Sequence, residues 1–488
     1  MPLAGRDPPF LREHSYKEEG ILTRIHNKAG AWAILLIAFA LMAAACAQPT
    51  GEPGVTTAPP TETTAPPTET TAAAEGQIYL MSADGSISAT FFENVTDQGL
   101  GMYFSAPGQP DTADYEDFLT NYEELVGTPP VQAFHARAYD SVFMVKQAIE
   151  AVAEDPGDGS LVIDRVALIE AMYQVDYTGL TGQQACNQFG DCAAPIISIH
   201  LYADAAAGLQ GVVDNVVSTS SFDMPGAGIG EVPEAPGDFG AVTVPADAPI
   251  QIATAQTISG ATINLGQDQV DGIRVAIEDI NAEGGVLGHE LELAQVEDEL
   301  CAAEGGQTAA QSILANPDIV AVIGTSCSGA GVPMADALTD QGILMLSASN
   351  TSPFLTATGY FSEEGPQQAE NWHWGYFRNA HNDEFQGRAA ATFALEELGV
   401  TQAATIHDGD PYTSGLAGAF GASFEEFGGT VVLATSVTPD QEDMRPVLTE
   451  VAASGAEIVF FPIFEPASPR IVLQIRDVGL EPIPPMSQ

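Results

Sequence analysis

The chain has 488 residues, with 14 Lys and Arg against 66 Asp and Glu, for a formal charge of −52. That balance argues against nucleic acid, whose phosphates demand a basic footprint, and against docking on anionic lipid through a basic patch. Hydrophobic residues make up 45%, enough to bury a large core; only one stretch is long and apolar enough to enter a bilayer, which excludes a polytopic membrane protein.

That stretch is Ala29 to Ala45, 17 residues without a charge, preceded by Arg24, His26 and Lys28. A basic flank, an apolar run and small residues at its end describe a secretory signal over residues 1–45. Cys46 follows directly, and Met42-Ala43-Ala44-Ala45-Cys46 resembles a bacterial lipobox, in which the cysteine is lipidated. The alternative is an uncleaved single-span anchor. Either reading places the rest of the chain outside the cytoplasm, anchored to the outer face of the cell membrane. Residues 46–75 are rich in Pro, Thr, Glu and Ala, with APPTETT at 58–64 and again at 65–71. Such a segment cannot form a core and reads as an extended tether. Beyond residue 45, Lys146 is the only lysine. The acidic excess is either a solvated surface that aids solubility or an adaptation to a salty or acidic medium.

There are five cysteines. With Cys46 lipidated, four remain, and an even remainder in an exported protein reads as two disulfides. Local pairing gives Cys186–Cys192 and Cys301–Cys327. The spacings match no zinc pattern, so no metal is expected.

Ile78–Met81 is a strand ending in the acidic turn Ser82-Ala83-Asp84-Gly85. A Pro/Gly-rich stretch, 218–249, then separates two structured blocks, 76–217 and 250–488. Gly226, Gly228 and Gly230 inside it invite a nucleotide reading, but they neither follow a strand nor open a helix, so a linker is expected. From Ile250 the chain alternates short apolar strands with amphipathic helices. The strands are Ile250–Ala255, His289–Val296, Ile319–Gly324, Ile343–Leu346, Ala403–His407, Val431–Ala434 and Ile458–Phe461. The helices are Asp271–Asn281, Gln307–Ala315, Gln386–Leu398, Leu416–Phe427, Met444–Ala453 and Arg470–Val478. This βαβ rhythm predicts doubly wound parallel sheets.

Polar residues follow the carboxyl ends of these strands, where such sheets bind ligands. They are Thr325-Ser326-Cys327-Ser328-Gly329, Ser347-Ala348-Ser349-Asn350-Thr351 and Asp408-Gly409-Asp410-Pro411-Tyr412, besides the turn at Asp84. Hydroxyls and free amides at a helix N-terminus suit a carboxylate; Asp84 and Tyr412 suit an ammonium. Helix capping would use the same residue types. A hydrolase elbow is not expected, because Ser328 occupies the place of the last glycine of Gly-x-Ser-x-Gly. His135, His373, His381 and His407 stand at no spacing that names a base or a metal site. The chain reads as a non-enzyme without a cofactor.

At these residues the sequence resembles the leucine/isoleucine/valine-binding family of solute-binding proteins that serve ABC importers. The matching pieces are GQDQVDGIRVAIEDINAEGGVLGHELEL, EDELC, VAVIGTSCSGA, ILMLSASNTSPFLT, YFRNAHNDEFQG, IHDGDPYTSGLAGAF and FEEFGGTVV. The resemblance implies a type I periplasmic-binding fold: two α/β lobes, here 250–378 and 379–488, joined by a three-strand hinge and closing on a ligand. It also supports the Cys301–Cys327 pair. In the family, the stretch matching RIVLQIRDVGL is followed by further elements, and in this chain those elements stand at the front. QIYLMSADG resembles the next strand with its acidic turn, GLGMYFSAPG a crossover, AFHARAYDSVFMVKQAIEAVA a returning helix, and DYTGLTGQQACNQFGDC with IISIHLYA the closing hairpin. The expectation is a circular permutation, with 76–217 supplying parts of both lobes and 218–249 joining the old ends.

By the same resemblance, Ser328 and Thr351 bind the carboxylate of an amino acid. Ser349 offers a carbonyl to the ammonium and Asp84 a carboxylate, while Tyr412 and Phe464 line the pocket from the second lobe. Leu265 replaces the family's aromatic near the first glycine turn. Phe464-Glu465 replaces a tyrosine pair, and Glu465 is suited to a polar or cationic ligand. The implied ligand is a branched-chain or other aliphatic amino acid, delivered by a monomer to a permease and its ATPase. A neutral amide or other small solute, or an extracellular sensor role, is the alternative. A sensor would carry a second transmembrane helix or a signalling segment, and neither is found in the sequence.

Overall fold

A computed structural model of the chain describes residues 76–228 and 232–485. The apolar run 29–45, Cys46 and the tether 46–75 lie outside the described residues.

The apolar run Ile319–Gly324 is buried at all six positions, as a strand covered by helices on both faces must be. It is the middle strand of a five-stranded parallel sheet ordered Leu291–Asp298, Ile250–Gln256, Ile319–Gly324, Leu344–Ser347, Tyr376–Arg378. Helices Ile263–Ala282, His135–Val152 and Arg165–Met172 contribute to the core on one face. Helices Ala303–Leu314 and Ser328–Thr339 contribute to the core on the other. This is the first lobe, and two of its helices come from the front of the chain.

The second lobe is built on an eight-stranded sheet. Thr430–Ser436, Gln402–His407, Ile458–Phe460, Gln77–Ala83 and Tyr103–Pro107 run parallel, and Ile196–Leu201 and Val216–Ser221 continue it antiparallel. The strand Gln77–Ala83 lies between two others, with Tyr79 opposite Ile458 and Met81 opposite both Phe460 and Tyr103. Residues from opposite ends of the chain thus share one ladder, as expected for Ile78–Met81 and Ile458–Phe461. The fold is the type I periplasmic-binding fold, with two doubly wound lobes. The chain passes between the lobes after Arg378, after Pro107 and before Ile196, and Ser221 in the second lobe and Ala241 in the first imply one further passage.

The helices expected over Leu416–Phe427 and Gln307–Ala315 start earlier, as Pro411–Glu426 and Ala303–Leu314, and three expectations change further. The helix predicted over Asp271–Asn281 spans Ile263–Ala282. Its polar start looks like loop in isolation, but Asp268 is buried and accepts hydrogen bonds from Tyr122 Oη, the Val131 amide and His135 Nδ1. Distant side chains therefore satisfy groups that would otherwise need water. The stretch 218–249 is not a bare linker. Its start belongs to the strand Val216–Ser221, and Ala241–Val244 pairs antiparallel with Leu161–Asp164, burying Val242 and Val244. Trp374 Nε1 also donates to the Pro233 carbonyl. The helix at Arg470 begins at Ala467 and is followed by a short strand, Glu481–Pro482, which pairs with Gln77 and Ile78.

Both expected disulfides are present, Cys186–Cys192 and Cys301–Cys327. The second ties the loop after Leu291–Asp298 to the residue that precedes Ser328, at the mouth of the first lobe.

Candidate ligand-binding cleft

The turns at the carboxyl ends of the two sheets face each other across the gap between the lobes. A cavity there is lined by Phe134, Leu265, Ser326, Ser328 and Ser349 from the first lobe and by Asp84, Tyr412 and Phe464 from the second. Its volume is about 10 Å³, room for roughly one water. A larger ligand enters only when the lobes part. Five of the six expected ligand residues therefore meet in one place.

Ser328 opens the helix Ser328–Thr339. Its hydroxyl accepts from the Ser352 amide at 3.3 Å, which leaves its proton free to donate. The first amides of that helix point the same way, and an anion is favoured there. Ser326 donates to Gln256 Oε1 at 2.6 Å, and Ser349 donates to the Ser326 carbonyl at 2.9 Å. These bonds fix the rotamers of the serine wall. Thr351 is the exception. It is buried but does not line the cavity, and its hydroxyl lies beside the Asp383 carboxyl without a well-formed hydrogen bond. The chain is pinned here by Arg378, whose Nη1 donates to the Asn350 and Ser352 carbonyls at 3.0 and 2.7 Å.

On the opposite wall Asp84 Oδ1 accepts from Gln386 Nε2 at 2.6 Å and from Tyr412 Oη at 3.3 Å. Burial pushes its carboxyl up to about 6, against the lowering effect of Gln386 and Tyr412. Tyr412 follows Asp410 and Pro411 at the start of the helix Pro411–Glu426, where Asp410 accepts from the Tyr412 amide at 2.8 Å and caps the helix. The Tyr412 ring tilts against Phe464, with centroids 5.0 Å apart.

Five residues that the sequence did not single out as ligand contacts complete the electrostatics. Gln386 donates to Asp84 and to Ser105 and accepts from His381 Nε2. Burial, with the nearby Arg137 charge, holds His381 down at about 3. Asp410 is pushed up to about 7, by burial first and by Asp408 second. It packs against the first lobe so closely that a Cβ on Gly329 would fall 2.1 Å from its Oδ2. Asp383 stands well above the usual carboxylate range, through burial and the charge of Asp84. Glu299, buried beside the Cys301–Cys327 bridge, is pushed up to about 8, chiefly by burial. The cleft is thus a place where carboxyls lack positive partners. The buried Arg378 is engaged by Asp191, and Arg137 donates to the Asn379 carbonyl.

A family model described as "Periplasmic binding protein" matches residues 40–194 and 249–486. An "Amino acid binding protein" of Pseudomonas aeruginosa is 30% identical over 233 residues, covering 48% of this chain and 59% of that one. The "Leu/Ile/Val-binding protein homolog 3" of Brucella melitensis is 31% identical over 234 residues, covering 48% and 60%. The chain spans about three fifths of the length of these curated relatives. Among solved structures, a leucine binding protein from Thermotoga maritima is similar at 22% identity with a TM-score of 0.41, over 47% of this chain and 61% of that one.

Proposed function

Because the chain belongs to the periplasmic binding protein family, we propose that it is the extracytoplasmic solute-binding component of an ABC importer, holding an α-amino acid between its lobes and delivering it to a permease. The observation that carries this reading is the polarity of the cleft. Serine hydroxyls and a helix N-terminus stand on one side, and a buried carboxylate with a tyrosine hydroxyl on the other. A zwitterion presents the matching charges at its two ends. The amino-acid-binding relatives support the same class, and an aliphatic side chain is the starting point they suggest. Cys46 is the proposed point of lipid attachment, and a monomer the proposed working form. The shared ladder of Gln77–Ala83 with Ile458–Phe460 supports a circularly permuted order, with 76–217 completing both lobes.

Calorimetric titration with amino acids tests the reading, and it carries a sign with pH. In the ligand-free closed cleft burial holds Asp84 up at about 6; a bound ammonium keeps it ionised. Below that pH, binding must release a proton, so affinity falls as pH falls, approaching tenfold per unit. Asp410, at about 7 in the closed cleft, pulls the opposite way when opening hydrates it. Comparison of the wild type with Asp84→Asn isolates the Asp84 contribution. The expected result is a saturable hit at pH 7.5 that weakens towards pH 5, with the Asp84-dependent weakening lost in the variant. Identical pH profiles for the two proteins would place the ammonium elsewhere. No binding of any amino acid would overturn the reading itself.

A further inference from the structure

Beside the cleft cavity lies a second one, also about 10 Å³, lined by Asp84, Gly85, Ser88, Gln132, Ala261, Thr262, Asn264, Leu265 and Glu465. The two cavities share Asp84 and Leu265, so a ligand seated on Asp84 extends past Leu265 into the second. That second wall is polar. Gln132 Nε2 already donates to the Ile87 carbonyl at 2.6 Å, which leaves its oxygen as an acceptor. Glu465 is half-buried, and its Oε2 accepts from Ser88 Oγ at 3.0 Å. Its Oε1 is fully buried without a hydrogen-bond partner. A buried carboxylate oxygen without a donor is costly, and a carboxylate can accept at both oxygens.

No Lys, Arg or His lines either cavity. The charge that would balance Glu465 and Asp84 together must therefore come from the ligand. A zwitterion brings one ammonium, and Asp84 takes it. A methyl or isobutyl group beside Glu465, Ser88 and Asn264 would displace water from those groups and return no hydrogen bond. A donor at the end of the side chain would satisfy Glu465 Oε1. The paired rings of Tyr412 and Phe464, bordering the adjoining cavity, offer π faces to a cation in passing.

We propose that the ligand is an amino acid with a basic side chain, its second cationic group hydrogen-bonded to Glu465 in the cavity beyond Leu265. The inference rests on the amino-acid reading of the cleft and adds the side-chain class. Glu465 is then the residue that sets specificity, and the departure from a tyrosine pair at 464–465 has a chemical consequence.

The test is titration of the wild type, Glu465→Gln and Glu465→Leu with L-lysine, L-arginine and L-leucine, with thermal melting as a check on folding. The wild type is expected to prefer the basic amino acids. Glu465→Gln, which can keep the Ser88 contact, should lower that preference roughly tenfold or more, since a charge-assisted hydrogen bond becomes a neutral one. Glu465→Leu should reverse it towards leucine. Leucine binding more tightly than lysine and arginine to the wild type, with the ratio unmoved in Glu465→Gln, would overturn the inference and leave the amino-acid reading standing. No binding by any of the three, nor by any other amino acid, would overturn both.

Discussion

Asp84→Ala should weaken binding of every amino-acid ligand by roughly thirtyfold or more. The ammonium would be left desolvated without its counter-charge, at a cost on the order of 2–5 kcal/mol, and about 1.4 kcal/mol is a decade in affinity. The fold itself should hold. Gln386, which donates to Asp84, also donates to the carbonyl and hydroxyl of Ser105, each at 3.0 Å; the Tyr412 hydroxyl, which loses its acceptor, borders a cavity with room for roughly one water. A buried carboxyl whose titration is pushed up to about 6 opposes the closed form at neutral pH, which offsets the lost Tyr412 bond; removing it should leave the melting temperature of the ligand-free protein unchanged or raised. Calorimetry and thermal melting on the same preparation separate the two effects. Unchanged affinity for every ligand would show that Asp84 does not hold the ammonium, and a neutral amide would become the better candidate.

The second large effect concerns the chain's front half. Residues 250–488 expressed without 76–217 should aggregate and bind nothing. The strand Gln77–Ala83 lies inside the second sheet, so its loss strips a neighbour from Ile458–Phe460 and leaves an open edge. Ile78, Leu80, Met81 and Phe104, all buried, would vanish from the second lobe's core. The helix His135–Val152, packed on Ile263–Ala282, would vanish from the first. A buried apolar side chain contributes about 1.5–3 kcal/mol, and a whole domain is stable by about 5–15 kcal/mol, so a handful of such losses exceeds the margin. Supplying 76–217 in trans should restore part of the soluble, folded protein, as seen by sedimentation and circular dichroism. A soluble 250–488 that unfolds cooperatively and binds an amino acid would contradict the shared-lobe arrangement.

The strands were legible because they are short apolar runs. Ile319–Gly324 was read to the residue, being buried on both faces and bounded by polar turns. The turns bearing Ser326, Ser328, Ser349, Asp84 and Tyr412 were legible as chemistry at strand ends. That Asp84 stands opposite Ser328 came from resemblance, since more than two hundred residues separate them. The residues to which the sequence gives no ligand role depend on contacts the local sequence does not reveal. Gln386 lies on a helix that looks ordinary, yet Asp84, Ser105 and His381 all converge on it. Asp410 looks like a plain helix cap, and only closure of the lobes brings it against Gly329. Thr351 looks like its neighbour Ser349, but the Arg378 clamp on the adjacent carbonyls sets it behind the cavity. The strands within 216–244 were missed because Pro and Gly dominate the composition around them. Val242 and Val244 are too few to signal a strand until Leu161–Asp164 is alongside.

The most direct measurement is a crystal structure of the protein grown with its best-binding amino acid. The account predicts one ligand between the lobes, its carboxylate on Ser328 and the start of the helix Ser328–Thr339, its ammonium on Asp84 and its side chain directed past Leu265. A ligand with its ends reversed, or seated outside the cleft, would contradict it.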